Sequence, residues 1–137
     1  MSYTRFTIAY WCLLIACLLP IACAGIAKGG MFGIPRRDGG YDNDNPRSWL
    51  ERQTDWRARA NAAQANSFEA LPFFIGAVII AHTLQANQTR LDVLAFVFVV
   101  LRVLYILMYV GNLATARSAL WMTALAVNIG ILFLGYR

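Results

Sequence analysis

The sequence predicts an all-α integral membrane protein, an up-down bundle of four transmembrane helices with one substantial polar loop. Three observations carry this expectation. Only 14% of the 137 residues are charged and 59% are hydrophobic, whereas a soluble domain holds about a quarter charged residues. The apolar residues fall in long blocks, each near the roughly 20 residues that a helix needs to cross a hydrocarbon core about 30 Å thick. Four such crossings consume most of the chain, so a single membrane domain over residues 1–137 is expected, with little besides connecting loops.

The first span covers about residues 6–27. Arg5 in front of it gives the look of a signal peptide, and Leu19-Pro20-Ile21-Ala22-Cys23 hints at a lipoprotein cleavage site. The apolar run exceeds the 7–15 residues of a usual signal core, and Pro20 stands where such a site carries a larger aliphatic residue. A retained span is expected. Cys12, Cys17 and Cys23 all lie in it and match no zinc or CxxC spacing. They are expected to pack as small apolar groups, and no metal is expected.

Residues 28–58 form the polar loop. Lys28, Arg36, Arg37, Arg47, Arg52 and Arg57 alternate there with Asp38, Asp42, Asp44, Glu51 and Asp55. Gly29-Gly30, Pro35, Gly39-Gly40 and Asn45-Pro46 punctuate its first half as turns. After Pro46 the breakers stop, and one helix is expected from Ser48 through Ala65 into the second span. That span covers about 60–84, the third about 91–110 and the fourth about 116–136. Gln85–Thr89 and Gly111-Asn112 supply short turns, which force antiparallel neighbours.

Loop charges set the orientation. The loop and the turn before Arg117 share one side and hold most of the basic residues, so that side is expected to be cytoplasmic, in a bacterial-type inner membrane or the endoplasmic reticulum. The N-terminus, Arg90 and Arg137 fall on the other side. The net charge of +5 is loop charge of this kind. No long polar surface exists for nucleic acid, and none is expected as a partner.

Ionisable groups inside spans cost roughly 2.5–3.5 kcal/mol each to insert and are the strongest functional pointers. Arg59, Asn66 and Glu69 fall at i, i+7 and i+10 on one helical stripe. Pro72 follows and predicts a local kink. Arg102, Tyr105 and Tyr109 fall at i, i+3 and i+7 on one face, and Arg117 and Ser118 open the fourth span. A purely structural reading stands beside this one. Glu69 and Arg102 can pair to hold helices together, and Arg59 and Arg117 can snorkel to the interface. His82, alone near a span end, reads as interfacial.

The run from Arg59-Ala60 through Asn66-Ser67-Phe68-Glu69 to Pro72 resembles the hallmark of the MAPEG family, the membrane-associated proteins in eicosanoid and glutathione metabolism. Arg102-Val103-Leu104-Tyr105, Tyr109-Val110-Gly111-Asn112-Leu113 and Arg117-Ser118 resemble its third-helix and fourth-helix motifs, in order. The likeness runs from about Glu51 to the C-terminus, and Tyr41–Arg47 looks like the bacterial branch.

The resemblance implies a homotrimer holding glutathione between protomers near the cytoplasmic face. It implies that Asn66, Glu69, Arg102, Tyr105 and Tyr109 contact the tripeptide, with Arg117 near the sulfur and Ser118 beside it. Arg59 can add forked hydrogen bonds to a carboxylate. A guanidinium lowers a thiol's pKa, and the thiolate is the nucleophile. The implied function is a glutathione-dependent transferase or peroxidase acting on apolar electrophiles dissolved in lipid. Two alternatives stand: a non-catalytic lipid- or glutathione-binding protein on the same fold, and a structural subunit of a membrane complex. The chain departs from the family where a further Arg or His precedes Asn66, holding Ala62, Gln64 and Ala65 instead. Its turn before Arg117 is one residue shorter than in the prostaglandin-synthase branch and lacks that branch's extra Arg. Trp121 replaces an aromatic hydroxyl found in some members.

Overall fold

The structure, a computed structural model, describes residues 5–136. Arg137, which entered the orientation reading, lies outside the described residues. In order, the chain forms α1 (Ile8–Lys28), a 3-10 turn (Arg36–Asp38), α2 (Pro46–Glu51), α3 (Asp55–Thr83), α4 (Gln88–Val110) and α5 (Ala114–Leu132). There is no strand among the described residues. The four helices α1, α3, α4 and α5 are each long and apolar enough to cross a membrane. The protein is a multi-pass, all-helical membrane bundle.

Local chemistry starts and stops these helices. Thr7 caps α1, its hydroxyl accepting from the Tyr10 N–H. The Asn87 side chain does the same for α4, accepting from Arg90 N at 3.0 Å. Gln85 (φ 55°) and Asn112 (φ 61°) adopt the left-handed backbone that ends α3 and α4, a conformation that Asn tolerates better than most side chains. Pro72 lies inside α3, which continues past it to Thr83.

The single helix expected over Ser48–Ala65 is instead two. α2 stops at Glu51, and Asp55 (φ 54°) redirects the chain into α3. Burial explains the break. Trp49 and Leu50 are buried against Ala27 and Ala60 at the end of the bundle. The turn lets α2 fold back onto α3 to make that contact.

α1 packs on α3 and α4, and α5 packs on α4 and α3. The interfaces are lined by small residues, among them Ala9, Ala16, Ala77, Ala81, Ala95 and Ala124. Helices in lipid associate through close packing rather than the hydrophobic effect, and small residues permit it. Phe74 and Phe98 stack at 4.1 Å between centroids in the middle of this core. Cys12 and Cys23 are buried, but Cys17 is exposed, so the expected packing role covers two of the three cysteines.

The end away from the loop is tied by a residue that hydropathy does not announce. Asp92 Oδ1 on α4 accepts from Ala9 N at 2.9 Å and from Gln88 Nε2 at 2.8 Å. It thereby satisfies one of the orphan donors that open α1. His82 sits beside the Tyr10 ring at 5.0 Å between centroids.

At the other end the polar loop is an ordered cap. Arg57 Nη1 donates to the Ala27 and Gly29 carbonyls at 2.7 Å each, closing the C-terminus of α1. Tyr41 lies edge-on to both Phe32 and Trp49, under the Lys28 ammonium. Arg36 pairs with Asp44 at 2.8 Å and Asp42 at 3.4 Å. A Cβ at Gly40 would stand 1.8 Å from the Ile34 carbonyl oxygen, so only glycine fits that turn.

Candidate functional site

α3 and α4 run antiparallel, and their polar stripes meet in register. Near the loop end Arg59 Nε donates to the Val110 carbonyl at 3.0 Å. Two turns further along each helix, about 10–12 Å by helical rise, Arg102 Nη2 donates to Asn66 Oδ1 at 2.8 Å. The spacing of Arg59 and Asn66 along one stripe is what lets both reach α4.

Arg102 is buried, with 3% exposure. No ion pair joins it to Glu69 among the described residues. Asn66 stands between them, accepting from Arg102 and donating through Nδ2 to Glu69 Oε2 at 3.4 Å. The amide therefore relays between a buried cation and a carboxylate that is exposed on the protomer's surface.

A second chain of contacts climbs α4 from Arg102. The Arg102 guanidinium lies 4.2 Å from the centroid of the Tyr105 ring. Tyr105 and Tyr109 meet edge-on at 5.7 Å and 81°. The Arg117 guanidinium lies 4.5 Å from the Tyr109 centroid. Both cations are within the roughly 6 Å over which a ring face attracts a cation. The i, i+3, i+7 spacing of Arg102, Tyr105 and Tyr109 puts all three on one face, and the short turn at Gly111–Leu113 brings Arg117 back over it. Arg117 also sits in the first turn of α5, where no acidic residue answers the helix's positive end. Guanidinium and helix N-terminus together favour an anion there.

Below this array lies a cavity of about 220 Å³ between α3, α4 and α5. Asn66, Glu69 and Arg102 form its polar wall, while Phe73, Trp121 and Leu125 contribute apolar surface. The sequence-predicted residues thus divide. Asn66, Glu69 and Arg102 line the cavity; Tyr105, Tyr109 and Arg117 extend from it toward the loop end. Arg59 meets the end of α4 instead, and Ser118 is exposed on α5.

The sequence reading passed over Asn128. It lines the same cavity, is 4% exposed, and its Oδ1 has no hydrogen-bond partner. Its signal was a lone amide in an apolar run, seven residues after Trp121, which points to nothing until the helices are packed.

No curated protein and no solved structure gives a significant match to the chain. The sequence pattern of the MAPEG family matches residues 8–136, nearly the whole length. The four long apolar helices are consistent with that match, and the chain belongs to the MAPEG family, whose members are in general membrane proteins of glutathione-related transferase or peroxidase function.

Proposed function

We propose that this protein is a homotrimeric, glutathione-dependent transferase or peroxidase that acts on apolar electrophiles dissolved in the lipid. The observation that carries the reading is the continuous array Asn66–Arg102–Tyr105–Tyr109–Arg117. An array of two guanidinium groups, two rings and an amide is costly to build inside a membrane. It has the shape and charge to hold an anionic tripeptide.

In this reading Asn66, Glu69, Arg102, Tyr105 and Tyr109 bind glutathione, and Arg117 faces its sulfur, with Ser118 beside it. Arg59 uses its Nε–H on Val110, and its terminal nitrogens are the groups assigned here to a glutathione carboxylate. A thiol of pKa about 8.5 is mostly protonated at neutral pH. The Arg117 guanidinium and the α5 N-terminus stabilise the thiolate. The proton leaves to water at the loop end. The sulfur then attacks an electrophilic carbon, a C–S bond forms, and a leaving group such as chloride departs with the bonding electrons.

Two features support a trimer with its loop side cytoplasmic. Glu69 and Ser118 are exposed on a single protomer although both belong to membrane spans. A carboxylate facing hydrocarbon is costly, and a neighbouring protomer relieves that cost. The basic loop sets the side. The test is turnover of glutathione with a chlorinated aromatic by the purified protein. Arg117→Ala is expected to lose most of the rate, and equal rates would remove Arg117 from the mechanism.

One observation favours a non-catalytic binding protein instead. Ala62, Gln64 and Ala65 offer no further cation near Asn66, and the Arg57 guanidinium already serves the end of α1. Glutathione at about a hundredfold excess over its Kd stabilises a true binder by about 2.7 kcal/mol. A raised thermal midpoint without turnover is the signature of this second reading.

A further inference from the structure

α3 carries a second concavity on the side away from the glutathione array. α2 folds back onto α3, and a groove of about 450 Å³ lies between them. Arg47 and Glu51 of α2 line it, with Asn61, Gln64, Ala65 and Phe68 of α3. At about 100° per residue, Asn61, Gln64 and Phe68 fall on the face of α3 opposite Asn66. This groove and the cavity beside Arg102 are therefore distinct.

Two opposite charges in the groove are unpaired. The other arginines from Arg36 to Arg59 each hold an acceptor: Arg36 and Arg37 on aspartates, Arg52 on Ser48, Arg57 and Arg59 on backbone carbonyls. Arg47 makes no ion pair and no side-chain hydrogen bond among the described residues, and neither does Glu51. Both are exposed, and their i, i+4 spacing sets about 5–6 Å between their Cβ atoms. Two such charges side by side in one groove complement a zwitterion better than a single ion.

The membrane level says which zwitterion. α3 has 29 residues, about 43 Å by helical rise, whereas a hydrocarbon core about 30 Å thick takes roughly 20. The far end of α3 leads at once into the short turn before α4, so the surplus lies at the loop end. Counting roughly 20 residues back from Thr83 reaches Gln64. Arg47, Glu51, Asn61 and Gln64 thus line the groove at headgroup level. Ala65 and Phe68, the latter 52% exposed, line it where hydrocarbon begins. A polar mouth with opposite charges above an apolar floor fits a phospholipid, whereas glutathione has no apolar segment for the floor.

We infer that this groove binds a phospholipid with a phosphoethanolamine headgroup. The Arg47 guanidinium holds the phosphate, to which its fork is suited. Glu51 accepts from the primary ammonium, and an acyl chain lies along Ala65 onto Phe68. The headgroup's phosphate and ammonium are joined through two carbons, a separation of the same order as the spacing of Arg47 and Glu51. The site stands independently of the glutathione reading.

The test is native mass spectrometry of the purified full-length protein in detergent, with phosphatidylethanolamine, phosphatidylcholine or phosphatidylglycerol of identical chains added. Choline keeps the cation but has no N–H to donate, and glycerol has no cation. Wild type is expected to retain phosphatidylethanolamine about tenfold more tightly than either, the worth of one charge-assisted hydrogen bond. Glu51→Ala should erase the preference over phosphatidylcholine. Arg47→Ala should weaken all three by about tenfold, and Arg47→Lys, which keeps the charge without the fork, should lose less. Equal retention of the three lipids by wild type would overturn the inference, as would an unchanged preference in Glu51→Ala. Glycerophosphoethanolamine, the headgroup without chains, should fail to displace the lipid at equal concentration; displacement would assign the groove to a soluble phosphate ester instead. Two further outcomes would defeat the inference. Arg47→Ala could dissociate the assembly with lipid retention unchanged, which gives the groove to a neighbouring protomer, or it could weaken glutathione binding alone.

Discussion

At the scale of single residues, Asn66 is the joint of the site. It accepts from a buried guanidinium on one side and donates to a carboxylate on the other. A hydrogen bond to a charged group contributes about 1.5–3 kcal/mol, and leucine at this position leaves Arg102 without that partner. Asn66→Leu is therefore expected to lower stability by about that amount, read as a lower thermal midpoint in detergent. Tyr109 is next in importance because Arg117 rests on its ring. A cation–π contact is worth about 0.5–2 kcal/mol, so Tyr109→Leu should reduce transferase kcat/KM by about two- to thirtyfold. Tyr109→Phe keeps the ring face and should stay near wild type. An equal loss in both variants would shift the role to the hydroxyl. Asn66, Glu69, Arg102, Tyr105, Tyr109 and Arg117 were legible in the sequence because ionisable and polar groups stand out against an apolar span. Asn128 and Asp92 are polar too, but each lies outside the stripes that drew attention on its helix. Their settings, the cavity wall for one and the backbone of α1 for the other, exist only after folding.

At the scale of elements, the loop between α1 and α3 carries the lesson. Its turn residues were plain in the sequence, yet its packing was not. Gly40 passes so close to the Ile34 carbonyl that no side chain fits. Gly40→Ala is expected to open the cap, seen as faster proteolysis between residues 30 and 45 with the spans intact. The Arg36 cluster predicts a pH response. The Asp44 hydrogen bond, with the charges of Asp42 and Asp44 nearby, raises the Arg36 pKa. Desolvation pushes the Asp42 carboxyl up, but the Asp44 N–H and the Arg36 charge outweigh it and hold it below its usual value. A carboxyl with a lowered pKa stabilises its fold above the ordinary aspartate pKa of about 3.9 and loses that contribution as pH falls through the lowered value. The Asp44 amide resonance, which reports the Asp42 carboxylate directly, should titrate with a midpoint below about 3.9. Arg36→Ala should move that midpoint upward. The α2–α3 break was missed for a related reason: helix-forming residues run on without a Gly or Pro, and only the burial of Trp49 and Leu50 favours the turn.

At the scale of the whole molecule, the packed protomer leaves Glu69 on its surface, inside the hydrophobic span. The proposed trimer covers it. Native mass spectrometry of the detergent-solubilised protein should give a homogeneous trimer, with glutathione raising its thermal midpoint. Glu69→Leu removes the membrane-facing charge and one ligand group together. It should keep or strengthen assembly while abolishing the glutathione-dependent shift. A monomer in both proteins would sink the proposal that the site is shared between protomers.

What the sequence determined by itself was the number of crossings, their antiparallel order and the polar stripes on the second and third spans. Hydropathy and helical periodicity are local, so these features need no knowledge of neighbours. Only the tertiary structure decided which stripes meet. It put Asn66 rather than Glu69 against Arg102, stacked Arg117 on Tyr109, sent Arg59 to the end of α4, and placed Asn128 in the wall of the cavity. Those pairings depend on the register and rotation of packed helices, which small residues such as Ala63, Ala77 and Ala124 allow by letting backbones approach. Register is a property of two surfaces in contact, and no single span carries it.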